Sequence, residues 1–274
     1  MPHRPLLLAA TLLVGGCLGR VEVSQIETFR QGVAAQTAAQ SPAQSTVPAA
    51  APAKPRLWYV GIGLYDESWS ENDVADLGAR LVSKADGFQV VPLVFSNRTG
   101  AKAYPAASRA NIDAATADIA RQAKPGDVVL LYLSTHGARG LVARKETGGG
   151  VEPVGPAELR DWLRPLGDMR SVVVLSACFS GSLIPSLAAP NRIVMTAARA
   201  DRASFGCQAG AEHTLYGQAL LDALAEPHES LATVGEKVRT QVAGMERQMG
   251  ISPRSEPQIV VGAGAAQLYG AAVF

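Results

Sequence analysis

From Leu57 onward, short unbroken apolar runs alternate with longer stretches in which apolar residues recur every three or four positions. Leu57–Ile62 is such a run, followed by polar loop residues, which is the pattern of a strand buried on both faces. Glu71–Ala85 is expected to be a helix, because Val74, Leu77, Leu81 and Val82 return at helical spacing. Gln89–Phe95 reads as a second strand and Ser108–Ala123 as a second amphipathic helix, capped by Ser108. Lys124-Pro125-Gly126-Asp127 is a turn that feeds the apolar strand Val128–Leu133. Further on, Pro156–Leu163, Thr214–Leu224 and Leu231–Met249 read as helices, and Ser171–Ser176, Arg192–Ala197 and Gln258–Val261 as strands.

This alternation predicts an α/β fold, a mainly parallel central sheet with helices on both faces. In such sheets the functional site lies beyond the carboxyl ends of the strands. Two strands run directly into reactive side chains at that edge. Val128–Leu133 leads into Ser134-Thr135-His136-Gly137, and Val172–Leu175 leads into Ser176-Ala177-Cys178-Phe179-Ser180-Gly181.

Composition removes several classes of function. The 274 residues are 47% hydrophobic, and Lys plus Arg (25) nearly balance Asp plus Glu (24), so no net field draws in nucleic acid. With three cysteines, four histidines, no CxxC pair and no HExxH, the chain offers neither a structural metal site nor a disulfide scaffold. No cofactor is expected, and any cysteine chemistry rests on single residues.

The first 55 residues differ in character from the rest. His3 and Arg4 precede the apolar run Pro5–Val14, which has the length of a signal-peptide core. Val14-Gly15-Gly16-Cys17 resembles the lipobox of bacterial lipoproteins, which implies lipidation of Cys17. Ala34–Pro55 is rich in Ala, Gln, Ser, Thr and Pro and carries too little apolar surface to fold. The expected organisation is a signal peptide over 1–17, a flexible segment over 18–55 and a folded domain over 56–274. The expected location is extracytoplasmic, on a bacterial membrane at its periplasmic face, held there by the N-terminal lipid.

A thiol attacks a carbonyl well only as thiolate, so Cys178 needs a base or cation beside it, and His136 is the available neighbour. Their separation in sequence leaves room for one crossover helix between adjacent strands. Gly137 has a reason to follow His136, since an oxyanion hole needs a backbone N–H free of a Cβ, and the N–H of Cys178 supplies a second donor. Ser180-Gly181-Ser182 forms a compact turn. A lone strand-end cysteine is more often a small buried residue. Two reactive groups at equivalent strand ends point instead to a nucleophile and its base.

LYLSTHGA followed by VVVLSACFSGS resembles the legumain-type branch of the caspase-like cysteine peptidases. The likeness extends through Ile193–Ala198 and Ser204–Cys207, and covers roughly Leu57 to Leu224. It implies a Cys178/His136 dyad, an oxyanion hole from Gly137 and Cys178, and Ser204 in the pocket for the substrate's P1 residue. The implied activity is an endopeptidase acting on peptide or protein substrates through an acyl-enzyme. Transfer to an amine and a non-catalytic binding lipoprotein are the alternatives. Where the family's pocket holds an arginine and two acids, this chain has Trp69, Ser176 and Gln218, so cleavage after Asn is not implied.

Asp66, Glu67, Asp73, Asp201 and Glu212 read as solvated loop charges, with a share in the pocket open if the register differs. Cys207 is expected to be a buried core residue, the alternatives being a resolving thiol or a partner that switches Cys178 off. His213 is either a pocket residue or a residue at a helix start, and His228 an exposed turn residue. The glycine-containing stretch Ala138–Pro156 is expected to be a surface hairpin or loop, with a cover over the cleft or a site of self-cleavage as the alternative.

Overall fold

The computed structural model describes residues 54–100, 103–146 and 148–274. The signal peptide, Cys17 and nearly all of the 18–55 segment lie outside the described residues.

The domain opens with β1 (Arg56–Gly63), α1 (Ser68–Lys84), β2 (Gln89–Ser96), α2 (Arg109–Gln122) and β3 (Val128–Ser134). Three short strands follow, β4 (Gly137–Ala138), β5 (Leu141–Lys145) and β6 (Val151–Val154), then α3 (Pro156–Leu163) and β7 (Arg170–Ser176). The chain ends with α4 (Ile184–Leu187), β8 (Arg192–Thr196), α5 (Leu215–Ala223), α6 (Leu231–Gln248), β9 (Gln258–Val261) and α7 (Ala266–Gly270). The central sheet has the order β2-β1-β3-β7-β8-β9. Every neighbouring pair is parallel except β8 and β9, which are antiparallel.

The period of two along β1 separates the core into two layers. Leu57 and Tyr59 pack with Val74, Leu77 and Leu81 of α1, Leu220 of α5 and Val234 and Val238 of α6. Trp58, Val60 and Ile62 pack on the other face with Ile112 and Ile119 of α2, Leu159 and Trp162 of α3, and Leu187. Helices thus cover both faces, which explains why the central strands are continuous apolar runs.

At the amino end of the sheet, Asp127 binds the starts of β1 and β3 together. Its carboxylate accepts from the Arg56 backbone N–H at 2.8 Å, Arg56 Nε at 2.9 Å, the Lys124 backbone N–H at 3.0 Å and Trp58 Nε1 at 3.2 Å. Burial pushes this carboxyl up, but the Arg56 and Lys124 N–H groups, the Trp58 indole and the Arg56 charge together leave it below its ordinary 3.8.

Ser108 caps α2 as its sequence predicts, accepting from the Asn111 N–H at 3.2 Å. Helix α1, however, begins at Ser68, three residues before the apolar periodicity becomes visible. Its first turn is rich in polar residues that turn inward and find partners. Ser70 Oγ donates to the Ser134 carbonyl at 2.6 Å, and Glu71 accepts from Arg98 at 3.0 Å.

The 138–156 stretch is a small antiparallel sheet, β4-β5-β6, with Val142 and Val154 fully buried. It docks on the carboxyl edge of the main sheet: Lys145 N–H donates to Leu64 and Ala143 N–H to His136, each at 2.9 Å.

Candidate active site

Strands β3 and β7 run parallel in a register that sets Ser134 opposite Ser176. His136 and Cys178 each follow two residues later. The two chains stay together beyond the sheet, where the Thr135 N–H donates to the Ser176 carbonyl at 3.0 Å. At the next step a Cβ on Gly137 would collide with the Cys178 carbonyl oxygen and come within 3.0 Å of the Ala177 Cβ. Glycine is needed here because the segment carrying the histidine lies directly against the backbone of the segment carrying the cysteine. Substrate access, the reason the sequence offered, is not what this contact reports.

Cys178 is followed at once by Phe179 in the left-handed region, φ 57°, whose N–H donates to the Arg202 carbonyl at 2.8 Å. A short 3₁₀ turn over Ser180–Leu183 comes next, and Gly181 sits so close to the backbone of residues 198–200 that a side chain has no room. The sulfur therefore sits on a sharp strand-to-turn junction fixed from behind. Ser204 flanks it, with its N–H and its carbonyl oxygen each 3.3 Å from Sγ and its hydroxyl at 3.8 Å. The interaction with the Cys207 thiol above all, and the Ser204 N–H and hydroxyl after it, outweigh burial and bring the Cys178 thiol down to about 6. Cys207 is driven up by the same interaction with Cys178 and by burial. It is also partly exposed, so it is not the core residue that its sequence context predicts.

His136 is held by rings. Tyr65 meets its imidazole edge-on at 4.4 Å between centroids and Trp69 at 5.1 Å. Burial lowers the imidazole from its ordinary 6.5, with Glu67 and Asp66 opposing and Lys145 assisting. Trp69 is 0% exposed, so its place is beneath the histidine, in contact with the ring. Asp66 is occupied by Lys145 at 2.8 Å, and that ammonium lies 5.3 Å from the Tyr65 ring centroid.

The reading of Asp73 as a solvated loop charge is overturned. It lies in α1, is 0% exposed, and its carboxylate accepts from Ser134 Oγ at 2.7 Å, Thr214 Oγ1 at 2.7 Å and the Thr214 N–H at 3.1 Å. His213 Nδ1 adds a contact at 3.2 Å, while its Nε2 is 3.3 Å from Asp76. The hydrogen bond to Asp73 leads the causes that raise the His213 imidazole above 6.5. Thr214 caps α5 and its hydroxyl lies 3.0 Å from Ser176 Oγ, so one buried acid connects the tips of both site strands. Gly217 is pressed so closely on this carboxylate that a Cβ would displace it. Nothing in the sequence marks Asp73, since a polar residue in an amphipathic helix ordinarily faces water.

Of the remaining sequence candidates, Ser204 adjoins Cys178, whereas Ser176 is 1% exposed and bonded to Thr214. Gln218 donates to Asp222 at 2.9 Å and lines a hollow with Asp76, Arg80, Glu212 and His213, a lining that includes neither Cys178 nor His136. Asp201 lies in an exposed cluster with Arg199 and Arg202, and Arg199 holds its carboxyl down at about 2. His228 is an exposed residue with φ 65°.

A mainly parallel six-stranded sheet, helices on both faces and a histidine and a cysteine at adjacent strand ends define the caspase-like class of cysteine peptidases. Among 194 matching chains of solved structure, caspase-1 from Spodoptera frugiperda superposes with a TM-score of 0.51 at 18% identity, covering 81% of this chain and 94% of that one, a likeness of fold. Residues 108–263, more than half of the chain, match the Peptidase C13 family model, and the chain belongs to that legumain-type family of cysteine peptidases. No curated protein matches it.

Proposed function

We propose that the protein is a membrane-anchored, extracytoplasmic endopeptidase in which Cys178 is the nucleophile and His136 its acid–base partner. The observation that carries this reading is the pairing of Ser134 with Ser176, together with the contact of Gly137 on the Cys178 carbonyl, which puts the two groups at matching positions of adjacent strands. The Cys178 thiolate attacks the peptide carbonyl carbon, a C–S bond forms, and the negative charge moves to the carbonyl oxygen. The N–H groups of Cys178 and Gly137 receive that oxygen. On collapse the C–N bond breaks, the amine leaves with a proton from the His136 imidazolium, and the acyl group stays on sulfur. Neutral His136 then takes a proton from water as the water attacks the thioester, and the carboxylic acid departs, restoring the thiolate. Ser204, beside the sulfur, lines the position of the P1 side chain. The lipobox around Cys17 and the Ala34–Pro55 tether support an anchored location, with the domain held off the membrane surface.

The test is turnover of a diverse peptide library by the full chain and by its Cys178→Ala and His136→Ala variants. The expected loss in each variant is about 10³-fold or more. Turnover that persists in Cys178→Ala overturns the assignment. The anchor is tested separately by the intact mass of membrane-extracted protein, and an unmodified Cys17 removes it.

A further inference from the structure

Acyl transfer makes no use of Cys207 as a reacting group, yet its side chain interacts with that of the nucleophile. Cys178 and Cys207 are both free and both partly exposed. Ser204, three residues before Cys207, already touches the Cys178 sulfur through its N–H, carbonyl and hydroxyl. Between them Gly206 takes φ 92°, and a Cβ there would stand 2.5 Å from the Leu215 nitrogen, so the chain turns tightly just before Cys207. The Phe205 carbonyl, bonded by the Leu215 N–H at 3.0 Å, fixes the turn.

We propose that Cys178 and Cys207 form a peroxide-reactive dithiol that closes reversibly into a disulfide. The consequence for peptide cleavage rests on the reading of Cys178 as nucleophile; the thiol chemistry does not. The Cys178 thiolate attacks one oxygen of a hydroperoxide, an S–O bond forms, the O–O bond breaks, and the second oxygen leaves as water or an alcohol after taking a proton. Cys207 sulfur then attacks the Cys178 sulfenic acid, the S–S bond forms, the S–O bond breaks, and water leaves with the Cys207 proton. Two thiols give up two electrons and the peroxide accepts them.

The two thiols are differentiated for these roles. Cys178 is the one ionised near neutrality, so it meets the oxidant first. Cys207 keeps its proton chiefly because it is hydrogen-bonded to Cys178, and conversion of that sulfur to a sulfenic acid removes the thiolate that holds the proton in place. The disulfide removes the nucleophile from peptide chemistry and shields it from the irreversible sulfinic state.

The experiment treats the full chain with a slight molar excess of hydrogen peroxide and maps its peptides without reduction, alongside Cys207→Ser. In the wild type, peptides containing residues 178 and 207 become joined with the loss of two hydrogens, and dithiothreitol separates them. In Cys207→Ser, Cys178 instead gains one oxygen and then a second. Failure to join 178 to 207 in the wild type overturns the proposal, as does identical oxidation of the two proteins. The map needs no turnover, so a joined pair in a chain that cleaves nothing leaves the dithiol standing and removes only the peptidase reading. Turnover without a joined pair does the reverse.

Discussion

Asp73 reaches from the first helix to the tip of β3, where its carboxylate accepts the Ser134 hydroxyl at 2.7 Å. Its other bonds go to Thr214 and His213. Removing it leaves several buried donors without an acceptor, so Asp73→Ala is expected to lower stability by about 3 kcal/mol, and Asp73→Asn, which retains one acceptor oxygen, by less. Denaturant unfolding measures both. His213 adds a pH signature. Its imidazole is raised in the folded state, so its contribution is fully present below 6.5 and disappears as pH rises through the folded value. A His213→Gln variant loses that slope.

Gly137→Ala inserts a methyl group where the Cys178 carbonyl already stands. The two site segments must separate, and the expected result is a stability loss of about 1–3 kcal/mol with a fall in kcat/KM of at least about tenfold. Gly140, with open space around its missing Cβ but φ 77°, is the control, and its substitution by Ala costs stability without the same loss of turnover.

In the proposed mechanism the active form holds one proton between the Cys178 thiolate and the His136 imidazole, and this sets the expected pH profile. The acid limb of kcat/KM follows Cys178, with a midpoint at about 6. The alkaline limb follows His136, whose value is lowered from 6.5 by burial, so turnover declines as pH rises through that lowered value. The optimum lies on the acid side of neutrality. Cys207→Ala removes the leading hydrogen bond to Cys178, and the midpoint for its alkylation by iodoacetamide moves up toward the ordinary 9.0.

Trp69→Ala empties a fully enclosed space under His136 and is expected to cost about 3–5 kcal/mol. It also admits water to the imidazole, so the His136 titration followed by NMR moves back toward 6.5. Trp69→Phe retains an aromatic edge and gives a smaller change in both measurements.

Asp127→Asn tests the opposite end of the sheet. The carboxyl is held below 3.8 in the folded state, so its contribution is present above 3.8 and is lost as pH falls through the folded value. The wild type is expected to lose more stability than Asp127→Asn on acidification through that range.

The sheet was legible because residues buried on both faces form unbroken apolar runs, as in Val128–Leu133 and Ser171–Ser176. The positions of Cys178 and His136 followed from the rule that places sites at strand ends. What escaped was polar and buried. The first turn of α1 looks hydrophilic because Ser70, Glu71 and Asp73 find their partners on β3, beside Arg98 and in the 213–214 segment, contacts that no local window contains. A relation between Cys207 and Cys178 was open in the sequence only as an alternative to burial, since the turn at Gly206 and the Leu215 bond to Phe205 that precede Cys207 leave no local pattern.

The groups that most lower the Cys178 thiol, Cys207 and Ser204, lie downstream of it. During synthesis, β3 and β7 emerge before those residues exist, so a nascent chain carries its histidine and cysteine without the donors that ionise the sulfur. The lowered thiol value is thereby tied to near completion of the domain. A chain ending before residue 204 contains both the histidine and the cysteine but lacks the Ser204 and Cys207 groups that lower the thiol.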